Sequence, residues 1–313
     1  MDAIRMSEKE TRGESGKSAA GEVIRSRGNQ WLKRFREALS ASADGANACD
    51  GVRRLGLEGP RLVREALRSA ASLDAILVSE SGERHLTTLR AALAGYQTAH
   101  GAPPRILRTT DTLFDSIAGT ETPQHIAAMA QLREFSFDDM LQSENALVAV
   151  LVGVQDPGNV GTAIRSGEAF GASGLIAAGD TASPWSQKTL RASAGSALRL
   201  PLLRERTPMT LLARLRTAGL RLCASCLRPV EGREPAALAE ADFRGRVALL
   251  IGNEAAGLPE EVSRSADVLV RVPLAAPVES LNAGVAASLL LYEAARQRGR
   301  IAVNEMHSGG AKR

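Results

Sequence analysis

Residues 146–175 read "ALVAVLVGVQDPGNVGTAIRSGEAFGASGL". The first nine, Ala146 to Val154, form an unbroken apolar run rich in β-branched side chains. Such a run suits a strand covered on both faces, as the strands of a parallel sheet are. A glycine-bearing turn follows, and its spacing decides its chemistry. A dinucleotide fingerprint needs G-x-G-x-x-G, and a P-loop needs G-x-x-x-x-G-K-[ST]. Gly158, Gly161 and Gly167 fit neither pattern and no lysine follows, so the nucleotide-phosphate reading fails. What remains is the turn Asp156-Pro157-Gly158-Asn159, leading into a helix on which Thr162, Arg165 and Ser166 fall within one turn of each other. Arg165 is then either a solvated helix cation or a guanidinium presented to a phosphate or ribose.

Similar buried strands recur at "GLIAAG" from Gly174, "LRLCASC" from Leu220, "RVALLIG" from Arg246 and "DVLVRVP" from Asp267, with "SQKTLRASAG" and "MTLLARLRTAG" as helices between. Alternating strands and helices predict a parallel sheet with ligands at the carboxyl ends of its strands. Two further loops there carry polar residues that a core would not choose. Gly252-Asn253-Glu254-Ala255-Ala256-Gly257-Leu258-Pro259 follows "VALLI". It reads either as a plain strand-to-helix turn or as a carboxylate set where backbone N–H groups face a ligand. The last is "VPLAAPVESLNAGVAASLLLYEAARQRG", in which Leu281, Val285, Leu289 and Tyr292 mark one helix face. Ser280 and Asn282 bracket the start of that helix, where Ser280 serves as an ordinary N-cap or in function.

Ahead of this block lies a second one. "WLKRFREALSAS", "GPRLVREALRSA", "TTLRAALAGYQ" and "DTLFDSIAG" predict helices, interleaved with strands at "DAILVSE" from Asp74, "PRILRT" from Pro104 and "HIAAMAQL" from His125. The expected organisation is a disordered extension over 1–28, a small α/β domain over 29–132, a polar linker over 133–145, a larger α/β domain over 146–301 and a flexible tail over 302–313.

The 313 residues carry 39 Lys and Arg against 35 Asp and Glu, a net charge of +4 that pulls mildly toward polyanions. Only five of those cations are lysine, and the arginine excess fits either codon bias or RNA contact. Aromatic residues make up 3%, which argues against rows of base-stacking rings. Cys49, Cys223 and Cys226 are too few for a disulfide framework, and the Cys223/Cys226 pair lies in an apolar run, as buried structural thiols do. The four histidines are scattered, so no metal is expected, and no apolar segment approaches membrane-spanning length. A start without an apolar core points to a cytoplasmic protein.

The three loops together, "DPGNVGTAIRSGEAFGA", "IGNEAAGLPEE" and "VPLAAPVESLNAGVAASLLLYEAARQR", resemble in order and spacing the motifs of the SpoU (TrmH-like) family of RNA ribose 2′-O-methyltransferases, in the SPOUT superfamily. The first block resembles, more loosely, the family's ribosomal-protein-like RNA-binding domain through "NQWLKRFREAL", "LEGPRLVREAL" and "TETPQHIAAMA". The resemblance implies a parallel sheet with a deep trefoil knot, a homodimer, and S-adenosylmethionine bound around Gly252, Val272 and Leu281, with Leu227 a weaker contact. It implies Arg165 as the leading catalytic residue and Asn159 as the shaper of the first loop. Glu254 would organise the pocket, and Ser280 and Asn282 would contact the substrate or the catalytic arginine. The expected substrate is 23S ribosomal RNA. The rivals are a transfer RNA methyltransferase, a non-catalytic RNA-binding protein on the same fold and, remotely, a nicotinamide dehydrogenase. Lys188 and "RASAGS" stay without an assigned role.

Overall fold

The computed structural model describes residues 22–40 and 52–300. Five strands form a first, mixed sheet: β1 (Glu22–Val23), β2 (Arg54–Glu58), β3 (Leu73–Ser79), β4 (Ile106–Thr109) and β5 (Ile126–Gln131), in the order β1-β4-β3-β5-β2. β1, β4 and β3 run parallel, while β5 is antiparallel to both β3 and β2. The helices of this block are α1 (Gln30–Ser40), α2 (Pro60–Arg68), α3 (Glu83–His100) and α4 (Asp111–Asp115). α2 starts with proline at its first position, where the missing N–H costs nothing.

Part of the segment expected to be disordered is ordered: β1 pairs with β4, and Ile24 is buried against Leu32, Phe35 and Leu107. Residues 1–21, 41–51 with Cys49, and 301–313 lie outside the described residues. The segment expected as a linker also differs. Ser136 and Asp139 form a reciprocal capping box that starts the short helix α5 (Phe137–Leu141). Met140 and Leu141 of α5 are buried beneath the second sheet, and burial of each contributes about 2 kcal/mol.

The second sheet contains β6 (Leu147–Val152), β7 (Gly174–Ala178), β8 (Leu202–Glu205), β9 (Arg221–Ser225), β10 (Ala236–Ala237), β11 (Val247–Ile251) and β12 (Val268–Arg271). Every pairing in it is parallel, in the order β10-β12-β9-β11-β6-β7-β8. Its helices are α6 (Pro157–Ala169), α7 (Gln187–Ser193), α8 (Pro208–Thr217), α9 (Glu260–Ser265) and α10 (Ala283–Gln297). Side chains alternate across each strand. Leu147, Ala149 and Leu151 face α6 and α10, and Val148, Val150 and Val152 face α5, α8 and α9. Covering on both faces accounts for the unbroken apolar run of β6. From β6 the chain proceeds through β7 to β8 on one side and returns to build β9, β11 and β12 on the other. The switch point of the sheet therefore lies between β6 and β11, where parallel sheets form their ligand crevices.

On α10 the buried side is Ala283, Ala287, Leu290, Leu291, Ala294 and Ala295, not the stripe marked in the sequence. Val285 and Tyr292 are exposed, Leu289 is half-buried, and Leu281 precedes the helix. Helix α10 packs on α6, and four of these six buried side chains are alanines, which a stripe marked by large apolar residues overlooks. Cys223 is buried and Cys226 half-buried, both as free thiols, and burial pushes the Cys223 thiol up to about 11. Among the described residues no helix is long and apolar enough to cross a membrane, and no group of three His, Cys, Asp or Glu could hold a metal ion.

Candidate active site

At the carboxyl end of β6, Asp156 caps α6 by accepting from the Gly158 N–H at 3.2 Å, and Lys188 of α7 donates to the same carboxylate oxygen at 3.0 Å. The Lys188 ammonium and then the Gly158 N–H hold the Asp156 carboxyl below its ordinary value. Lys188 thus pins the first loop to α7. That contact is close throughout: a Cβ on Gly161 would lie 2.4 Å from Ala192 Cβ, so only glycine lets α6 approach α7.

Asn159 is 7% exposed, and its Nδ2 donates to Oε1 of Glu254 in the loop after β11. This bond joins the first two loops across the switch point. The second loop is held in shape by Asn253, which the sequence reading passed over. Its backbone exchanges two hydrogen bonds with Gly257, at 3.0 and 2.9 Å. Its Oδ1 accepts from Ala255 N–H at 2.9 Å and Ala256 N–H at 3.1 Å, while Nδ2 donates to the Gly153 carbonyl at 3.1 Å. The loop folds back so tightly that a Cβ on Gly252 would meet the Gly257 backbone at 2.3 Å. Gly252 is therefore fixed by the turn itself, and the turn aims Glu254 at Asn159.

The N-cap of α10 is Asn282, not Ser280: Asn282 Oδ1 accepts from Gly284 N–H at 2.9 Å and Val285 N–H at 3.2 Å. Ser280 is exposed in the approach to the helix. Among the described residues neither side chain forms a hydrogen bond with Arg165. Thr162 bonds the Gly158 carbonyl of its own helix at 2.9 Å, and Ser166 pairs with Ser288 of α10 at 2.7 Å. Among the described residues Arg165 is exposed with no hydrogen bond or ion pair. Of the three polar residues on that turn, it alone has no side-chain hydrogen bond among the described residues.

The four positions expected at the cofactor occupy one end of the sheet. Gly252 follows β11, Val272 follows β12, Leu227 follows β9, and Leu281 lies between β12 and α10. Leu227 and Val278 are each 54% exposed although apolar. Between Pro273 and Leu281 the backbone makes one internal hydrogen bond, from Val278 N–H to the Ala275 carbonyl at 3.1 Å. Exposed apolar side chains beside backbone donors and acceptors that have no partner among the described residues fit the chemistry of S-adenosylmethionine, a flat-faced purine with a polar edge and an amino-acid end.

The profile of the SpoU rRNA methylase family matches residues 146–292, and that of the MRM3-like substrate binding domain matches residues 53–128. The 23S rRNA (guanosine(2553)-2′-O)-methyltransferase RlmP of Bacillus subtilis is 31% identical over 236 residues, covering 75% of this chain and 86% of the relative. The chain belongs to the SpoU rRNA methylase family. Another SpoU relative, the 23S rRNA (uridine(2479)-2′-O)-methyltransferase of Streptomyces viridochromogenes, is 34% identical over 197 residues, 62% of this chain and 68% of the relative. The crystal structure of the AdoMet-bound rRNA methyltransferase from Sinorhizobium meliloti superposes with a TM-score of 0.69 at 28% identity, over 88% of this chain and 97% of that one. All nine candidate site residues lie inside the span matched by the SpoU profile.

Proposed function

We propose that this SpoU-family protein transfers a methyl group from S-adenosylmethionine to a ribose 2′-hydroxyl of 23S ribosomal RNA. The observation that carries the reading is the unpaired Arg165 on α6, beside two loops joined through Asn159 and Glu254 and next to a backbone segment free to bind the cofactor. The 23S rRNA 2′-O-methyltransferase names of the relatives supply the substrate class.

A ribose hydroxyl is a weak nucleophile at neutral pH, so positioning and stabilisation of the charge developing on its oxygen supply the catalysis. The cofactor, when bound, supplies a methyl group made electrophilic by its sulfonium. Backbone groups around Gly252, Val272 and Leu281 would hold it, with Leu227 covering one apolar face. Arg165, always cationic, would clamp the RNA phosphate and lower the cost of negative charge on the 2′-oxygen. Asn159 and Glu254 keep the first loop, and with it α6, in register with the cofactor loop. Asn282 uses Oδ1 for capping, which leaves Nδ2 to donate to the substrate. Ser280 offers a hydroxyl beside it.

In this reading residues 29–132 bind RNA, residues 146–301 carry the chemistry and the chain through α10 is the segment threaded in the family's trefoil knot. The protein works as a cytoplasmic homodimer through the exposed Val285 and Tyr292 with the half-buried Leu289 between them, where Phe170 meets Tyr292 edge-on at 5.6 Å. Mapping ribose methylation in ribosomal and transfer RNA, with and without this gene, tests the assignment. One 2′-O-methyl site in 23S rRNA should disappear; loss of a transfer RNA site would redirect the substrate, and loss of none would end the reading.

A further inference from the structure

A cavity of about 250 Å³ lies between the first sheet and the turn at Ala197–Arg199 that precedes β8, and none of its lining residues belongs to the candidate active site. Leu55, Ala71, Leu132 and Leu198 supply apolar walls, and Phe135 lies at the rim with Arg68, Arg133 and Arg199. The three arginines are not equivalent. Arg199 is committed: its guanidinium bonds Glu65 of α2 at 3.1 Å and Glu168 of α6 at 2.9 Å. It thereby ties the first block to the helix that carries Arg165, three residues before Glu168. Arg68 and Arg133 are exposed and have no carboxylate within ion-pair distance among the described residues. The Arg133 guanidinium lies 4.8 Å over the Phe135 ring.

Two unspent cations at the mouth of an apolar cleft, one of them stacked on an aromatic ring, match the chemistry of an unstacked nucleotide. The base prefers a flat or apolar surface, and the phosphate prefers a planar guanidinium fork. The volume lies just below the roughly 300–1,000 Å³ typical of ligand pockets, which suits one nucleotide rather than a folded element. We infer that this cleft receives a single splayed-out nucleotide of the RNA substrate, its phosphate held by Arg68 and Arg133 and its base against Phe135 and the apolar walls. The bound nucleotide sets the register of the RNA on α6, because Arg199 fixes the cleft to that helix. The inference rests on the RNA methyltransferase reading and adds a site remote from the reacting ribose.

The test uses the full-length protein and a 23S rRNA transcript. For the double variant Arg68→Gln/Arg133→Gln, KM for the transcript should rise roughly ten- to hundredfold, from the loss of charge-assisted bonds, with kcat nearly unchanged. The slope of log affinity against log salt should flatten by about 0.7 for each phosphate charge no longer neutralised. Leu198→Trp, which fills the cleft without changing charge, should weaken RNA binding while leaving that slope and the affinity for S-adenosylmethionine as in the wild type. If the double variant loses its fold, seen as lost cofactor affinity, Leu198→Trp decides alone. Wild-type KM and salt slope in the double variant, or wild-type RNA affinity in Leu198→Trp, overturn the inference. A wild-type protein that methylates no RNA overturns the underlying reading instead, so the two failures are distinguishable.

Discussion

Asp111, which opens α4 in the first block, and Glu254, in the loop after β11 in the second, are both carboxylates just beyond the ends of strands, yet their surroundings differ. Asp111 accepts from the hydroxyls of Ser79 and Ser81 and from the Ser81 N–H at 3.0 Å, and these bonds in that order hold its carboxyl at about 2. It is saturated, and it fastens α4 to the end of β3. Glu254 receives a side-chain bond from Asn159, while among the described residues the Arg165 side chain has no partner and the backbone of 273–281 makes a single internal hydrogen bond. Polar groups that satisfy one another stabilise a fold, whereas polar groups held in place but left open are poised for something that is not part of the chain.

Breaking the open region should remove activity before stability. Arg165→Ala is expected to lower kcat for methyl transfer about 10²- to 10³-fold, the scale of one lost charge-stabilising donor, while affinity for S-adenosylmethionine changes less than about threefold. Parallel loss of cofactor affinity in a calorimetric titration would make Arg165 structural. Asn159→Ala removes the one side-chain donor that, among the described residues, ties the first loop to Glu254. It should cost about 1–3 kcal/mol of stability and reduce both kcat and cofactor affinity, since two loops lose their register. Denaturant unfolding together with the same titration checks this.

Smaller effects belong to groups whose bonds are internal. Asn282→Ala deletes the cap of α10 and should cost about 1 kcal/mol, read as a lower midpoint in denaturant unfolding. Asp111 concerns acid alone. Its folded value of about 2 lies below the ordinary 3.8, so its contribution is complete above about pH 4 and is lost as pH falls toward 2. Asp111→Asn should flatten that part of the stability profile while leaving methyl transfer at neutral pH unchanged.

The same contrast explains what could be read in advance. The parallel sheet was legible because β6, β7, β11 and β12 are buried on both faces, and composition alone reports that. Arg165 and Glu254 stood out as polar residues beside buried strands. β2 was missed because Gly56 interrupts its apolar pattern, and glycine is there because a Cβ would meet the α1 backbone at 2.7 Å. β8 was missed because it is a four-residue strand at the sheet edge. The inner face of α10 was misread because four of its buried side chains are alanines, which signal a core face more weakly than the larger Leu281, Val285, Leu289 and Tyr292. Asn253 left no sequence signal: its role comes from bonds to backbone atoms whose positions exist only in the folded loop.

The central claim is tested most directly by incubating purified protein with methyl-labelled S-adenosylmethionine and 23S rRNA or transfer RNA, then digesting the product to nucleosides. The account predicts label in a single 2′-O-methylnucleoside from 23S rRNA. Label on a base, label confined to transfer RNA, or no transfer at all would contradict it.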